Sequence, residues 1–136
     1  MVLDLFSRRL VLLVEDEPLI AIDVEHHLRK SGARVIAAAN LDAAWSIANH
    51  PQLSAAVIDL RLGDQSAIPL CRLLTDRNVP FVVHTGYAAD AVEDEWPAIR
   101  IIRKPADPID VVHALIGALG SLGPPAHQGA AGPTAR

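Results

Sequence analysis

Along the chain, short apolar runs alternate with longer stretches in which apolar residues recur every three or four positions. RLVLLV (Arg9–Val14) is unbroken in large apolar residues after its arginine, as a strand buried on both faces must be. PLIAIDVEHHLRKSG follows with Leu19, Ile20, Val24 and Leu28 at helical spacing, and Gly32 supplies a stop. The alternation then repeats with ARVIAAA (Ala33–Ala39) as a strand, LDAAWSIANH (Leu41–His50) as a helix closed by Pro51, and SAAVIDL (Ser54–Leu60) as a third strand. SAIPLCRLLTDR (Ser66–Arg77) predicts a helix with Ser66 as N-cap and Pro69 in the first turn, where a proline is tolerated. VPFVVHTG (Val79–Gly86) is the fourth strand, AADAVEDEW (Ala88–Trp96) one or two helical turns, and RIIRKP (Arg100–Pro105) the fifth strand. DPIDVVHALIGALG (Asp107–Gly120) closes the pattern as a helix with Val112, Leu115, Ile116 and Leu119 along one face.

Five strands alternating with helices predict an α/β fold: a doubly wound, five-stranded parallel sheet covered on both faces. It forms a single domain over residues 1–120. SLGPPAHQGAAGPTAR (121–136) has no large apolar residue after Leu122 and is rich in Pro and Gly, so a disordered C-terminal tail is expected there. Composition narrows the partners. With 51% hydrophobic residues, a net charge of −4 and no run of Lys/Arg longer than two, there is core enough but no basic surface for nucleic acid. The single cysteine, Cys71, cannot form an internal disulfide and fits a reducing compartment. MVLDLFSRRL lacks the apolar core of a leader, and no run approaches the ~18 residues of a membrane span, so a cytoplasmic protein without membrane contact is expected.

In an open parallel sheet, chemistry collects at the carboxyl ends of the strands. The first strand ends in Glu15, Asp16 and Glu17, the third in Asp59, the fourth in Thr85 and Gly86, and the fifth in Arg103, Lys104 and Pro105. Each has an ordinary explanation alone: acids complement a helix N-terminus that opens on Pro18, and an Asp ending a strand is often a turn residue. Together they say more. With the strand order 2-1-3-4-5, Asp16 and Asp59 leave neighbouring strands, and two carboxylates that close repel unless one is protonated or a cation lies between them. A hard divalent ion such as Mg²⁺ resolves the repulsion.

VEDEP, IDLRLGD, HTG and IRKP, in register over residues 9–119, resemble the receiver domain of two-component response regulators, a CheY-like module. The resemblance implies Asp59 as phosphoacceptor, taking a phosphoryl group from a sensor histidine kinase, a phosphotransfer protein or a small phosphodonor. It implies Mg²⁺ held by Asp16, Asp59 and the backbone carbonyl of Arg61, with Glu15 acting through water. Lys104 pairs with Asp59 or a phosphoryl oxygen, Thr85 donates its hydroxyl to the phosphoryl group, Gly86 leaves room for it, and Lys104–Pro105 is a candidate cis peptide. Such a module is not an enzyme with a substrate of its own. As a single-domain protein, monomeric or weakly dimeric, it would act on an unidentified downstream protein or serve as a phosphate sink.

The sequence departs from the family where an aromatic residue usually stands three positions before the lysine: here it has Ile101, with Tyr87 as a substitute to consider. PFVVHTGY resembles the subgroup with a Phe-Ala-Thr-Gly-like fourth strand end, which works with kinases of the HWE type, although His84 replaces its alanine. That likeness implies a mobile switch surface over Ala88–Trp96. His26 and His27 are read as a solvated pair, His84 as a packing or hydrogen-bonding residue turned away from Thr85, and Cys71, Trp45 and Trp96 as packing residues. Two rivals stand beside the receiver: a pseudo-receiver that binds a partner without phosphorylation, and an aspartyl phosphatase of the haloacid-dehalogenase type. The second needs an acid where Arg61 stands.

Overall fold

The computed structural model describes residues 4–120; Met1–Leu3 and the expected tail at 121–136 lie outside them. Strands β1 (Leu10–Val14), β2 (Arg34–Ala38), β3 (Leu53–Ile58), β6 (Phe81–Thr85) and β7 (Ile101–Arg103) form one parallel sheet in the order β2-β1-β3-β6-β7. Counted within that sheet alone, the order is the expected 2-1-3-4-5. Helices α1 (Pro18–Lys30) and α5 (Pro108–Leu119) cover one face, and α2 (Leu41–Ala48), α3 (Ile68–Asp76) and the short α4 (Asp90–Glu95) cover the other.

Strand alternation divides the core in two. Leu12, Val14, Ile58, Phe81 and Val83 pack with Leu70, Leu74 and Trp96, whereas Val11, Leu13, Val57 and Val82 pack with Val24 and Leu28 of α1 and Val111, Val112 and Leu115 of α5. On α5 the fully buried stripe is therefore shifted: Ile116 and Leu119 are only partly buried and Val111 replaces them. Each inner strand is buried on both sides, which is why its sequence runs apolar without interruption.

Three local features differ from the expectation. Leu19 is not part of the buried stripe of α1 but 82% exposed. It stands five residues from Val24, about 140° around the helix, and Ile20 takes the inward place. The helix expected from Ser66 begins at Ile68 with Ala67 at the cap, because Ser66 is spent in a hairpin of β4 (Arg61–Leu62) and β5 (Gln65–Ser66). Ser66 still serves the helix, since its Oγ accepts from the Ile68 N–H at 3.2 Å. Finally, the first segment contributes to the core. Phe6 is fully buried among the α1–α5 residues, tied down by Phe6 N–H to Ser31 O at 3.1 Å and Arg8 N–H to Gly32 O at 2.8 Å. Gly32 has φ +95°, and a Cβ there would stand 3.0 Å from the Asp4 backbone, so the stop signal of α1 is also where the N-terminal segment crosses closely.

Candidate functional site

Pairing brings the acids together. Glu15 N–H donates to Ala38 O and Asp59 N–H to Val14 O, both at 3.0 Å, so the ends of β1 and β3 advance side by side. One carboxylate oxygen from each of Glu15, Asp16 and Asp59 lies within 4.8 Å of the others. Glu15 and Asp59 are each 3% exposed. From the end of β7, Lys104 N–H donates to Thr85 O at 3.0 Å, and its Nζ reaches Glu15 at 2.8 Å, Asp59 Oδ2 at 2.9 Å and Glu17 Oε2 at 3.1 Å. All three ammonium hydrogens thus have a carboxylate each. The Lys104–Pro105 peptide is cis.

Burial opposes the charge on Lys104, but its bonds to Glu15 and Asp59 outweigh that and hold its pKa well above the ordinary lysine range. Burial pushes the Glu15 carboxyl from 4.5 up to about 7, with Lys104 only partly opposing it. Glu15 therefore binds its proton more tightly folded than unfolded. Its contribution to stability is present below about pH 4.5 and is lost as pH rises through 7. Cation binding at this cluster is expected to strengthen by up to about tenfold between roughly pH 6 and pH 8, as the proton on Glu15 leaves. Calorimetric Mg²⁺ titrations at the two pH values check this, and Glu15→Gln should flatten the difference.

The remaining expected residues surround the cluster. Asp16 Oδ2 accepts from Gly63 N–H at 2.9 Å, which ties the β4–β5 hairpin to the end of β1. Thr85 is fully buried and its Oγ1 accepts from Tyr87 N–H at 3.2 Å. Gly86 lines the cleft, but a Cβ there would meet Lys104 Cβ at an ordinary 3.7 Å, so packing alone does not demand glycine. Arg61 lies at the mouth, its guanidinium 5.1 Å from the centre of the Tyr87 ring, while Arg103 Nη1 donates to Tyr87 O at 3.1 Å. The cleft between them encloses about 550 Å³.

Glu17 has a different part from the one its sequence position suggested. It stands outside the three-acid cluster and holds Lys104 from the solvent side. Ile101, at the usual aromatic position, packs against the α2–α3–α4 core. The segment after Thr85 is anchored at its far end. Trp96 is fully buried, meets Phe81 edge to face at 5.8 Å and donates Nε1–H to Thr75 Oγ1 at 2.9 Å. Arg72 grips Glu95 with two nitrogens at 2.8 and 2.9 Å.

Three hard oxygens at one strand edge suit a small divalent cation, and the buried carboxylate of Asp59 beside a lysine suits a nucleophile that must accept a charged group. Sheet order, acid cluster and lysine together place a candidate cation site at the carboxyl edge of a parallel α/β sheet. Residues 11–116 match the response regulator receiver domain, and the chain belongs to that family. It is 32% identical over 127 residues to the photosynthetic apparatus regulatory protein RegA of Rhodobacter capsulatus, covering 90% of this chain and 69% of RegA. Among solved structures it is similar to a response regulator from Burkholderia pseudomallei with a phosphorylated aspartic acid, calcium ion and citrate, at 29% identity and TM-score 0.64, covering 79% of this chain and 66% of that one. It is also similar to the receiver domain of sensor histidine kinase PA1611 from Pseudomonas aeruginosa, with a magnesium ion in its active-site cleft, at 26% identity and TM-score 0.68, covering 83% and 98%. Receiver domains are signalling modules phosphorylated on an aspartate by histidine kinases or phosphotransfer proteins, with Mg²⁺ bound in an acidic pocket. Among the described residues no helix is long and apolar enough to cross a membrane.

Proposed function

We propose that this receiver takes a phosphoryl group on Asp59 and signals by a change at the mouth of the cleft. The observation that carries the reading is the Lys104 ammonium bonded at once to Asp59 and Glu15, across the ends of β7, β3 and β1. An Asp59 carboxylate oxygen attacks phosphorus. The bond to the donor breaks, and its electron pair leaves with the imidazole of a phosphohistidine or with the carboxylate of an acyl phosphate. Asp16, Asp59 and the Arg61 carbonyl would hold Mg²⁺, with Glu15 acting through water; the ion supplies neutralising charge for the transferring group. Lys104 would move one hydrogen from the Asp59 carboxylate to a phosphoryl oxygen while keeping Glu15.

Thr85 accepts from Tyr87 in the resting state, and its own hydroxyl proton is available for the phosphoryl group. Turning that hydroxyl inward pulls on the Tyr87 backbone and so on the exposed ring stacked over Arg61. Tyr87 would then take the part that Ile101 cannot. Since Trp96 pins the end of α4, the change is expected over Gly86–Ala89 rather than across α4 as a whole. A cytoplasmic histidine kinase or phosphotransfer protein is the donor in this reading. The receiver then binds a downstream protein or drains phosphate from a shared kinase.

Intact mass after incubation with acetyl phosphate, with and without Mg²⁺, tests the chemistry. One phosphoryl adduct that needs Mg²⁺ and is absent from Asp59→Asn is expected. A wild-type chain that stays unmodified with both a small donor and a histidine kinase would leave the pseudo-receiver, a module that binds its partner without phosphate.

A further inference from the structure

Adjoining the cleft, and sharing Ile20, Lys104 and Pro105 with it, lies a second, smaller cavity of about 100 Å³ whose walls also include Asp23 of α1, His84 of β6 and Pro108. Strand alternation puts His84 on the face of β6 that carries Val82, toward α1 and α5. The imidazole is 3% exposed, and neither Nδ1 nor Nε2 has a hydrogen-bond partner in the protein. Among the described residues these are the buried side-chain polar atoms left unsatisfied. Burial and, after it, the positive charge of Lys104 lower the His84 pKa, so the ring is neutral near pH 7, with one nitrogen donating and one accepting.

Buried polar atoms in folded proteins are almost always paired, and an imidazole offers two directions of demand that the surrounding Ile20, Val24 and proline side chains cannot meet. The cavity beside it is large enough to admit water. Its rim carries Asp23 of α1, whose largely exposed carboxylate lies 3.7 Å from His27 Nδ1, and it shares Lys104 and Pro105 with the larger cleft. A wholly apolar cavity of this size would stay dry, but one that holds an orphaned imidazole beside Asp23 and Lys104 does not meet that condition.

We infer that this cavity is a built hydration site, in which ordered water bonds both ring nitrogens of His84 and links them to Asp23 of α1, behind the strand end that carries Thr85. The ligand class is water, fixed by a neutral imidazole that needs one acceptor and one donor. The consequence is a polar, adjustable contact between α1 and the end of β6. This inference does not depend on phosphorylation at Asp59.

The test uses the full unphosphorylated chain. A crystal structure at atomic resolution should show water within hydrogen-bonding distance of both His84 nitrogens. In solution, cross-relaxation from long-lived water to the His84 ring protons should be present. His84→Gln, which keeps a donor and an acceptor, should retain the cavity water, and His84→Leu should lose it while the fold is kept. If the Leu variant does not fold, the wild-type and Gln measurements still decide. A cavity with no ordered water, or a ring bonded directly to Asp23 or to a backbone carbonyl, overturns the inference.

Discussion

Lys104→Met is expected to destabilise the fold by about 3–5 kcal/mol near pH 8, the cost of leaving buried charge without its partner. Methionine keeps the volume of the stem and removes only the ammonium. That ammonium holds Glu15, Glu17 and Asp59 at 2.8 to 3.1 Å, and two of the three are 3% exposed. Without it, the carboxylates that approach within 4.8 Å face each other with no counter-charge. The sign with pH follows from the same contacts. Glu15 already holds its proton up to about pH 7, and loss of the lysine raises its demand for a proton further. The deficit should therefore be largest near pH 8 and shrink toward pH 5.5 as the cluster protonates. Millimolar Mg²⁺ should restore the variant more than the wild type, because in the wild type Lys104 already provides the cation. Urea denaturation at the two pH values, with and without Mg²⁺, measures both effects. Equal stability of variant and wild type near pH 8 would mean that the three contacts contribute nothing to the fold.

What the sequence made legible, and what it did not, follows from how far apart the cooperating residues lie. Asp16 and Asp59 are neighbours because both follow strands whose unbroken apolar runs mark them as inner strands of a parallel sheet. The placement of Thr85, Gly86 and Lys104 at the same edge follows likewise, since every strand of a parallel sheet presents its carboxyl end there. The β4–β5 hairpin was not legible: two residues per strand make no period, and only the turn at Gly63, with φ +64°, betrays it. Phe6 lies in a segment too short for periodicity, and its burial depends on a crossing over Gly32. Leu19 fitted a helical stripe because the first turn of a helix can be read in more than one phase. Glu17 and His84 show the other limit. Glu17 meets Lys104 across 87 positions, and the isolation of His84 is a property of the α1, β6 and α5 surfaces together, which no local pattern records.

Trp96→Ala is expected to cost about 3–5 kcal/mol, a large share of the 5–15 kcal/mol that holds a domain of this size. Trp96 is the largest fully buried side chain described, and it caps the C-terminus of α4, a helix of six residues that is too short to be stable unaided. Its ring fills space against Phe81 and its N–H satisfies Thr75 Oγ1, which in turn donates to Cys71 O at 2.9 Å. Removing the indole empties a volume that rigid β6 and α3 cannot close, and leaves α4 with Val92 and the exposed Arg72–Glu95 pair, a contact that water screens. Trp96→Phe separates the two contributions: it keeps an aromatic ring against Phe81 and loses the hydrogen bond, so about 1 kcal/mol is expected. Denaturant unfolding of both variants gives these values, and hydrogen exchange over Ala88–Trp96 shows where the loss falls. Asp59, Glu15 and Lys104 lie on other elements, so Trp96→Ala should keep its Mg²⁺-dependent phosphoryl adduct at a temperature where it remains folded. A variant that loses the adduct while still folded would show that α4 is part of the reacting cleft and not, as the anchored Trp96 argues, a fixed wall beside a moving Tyr87.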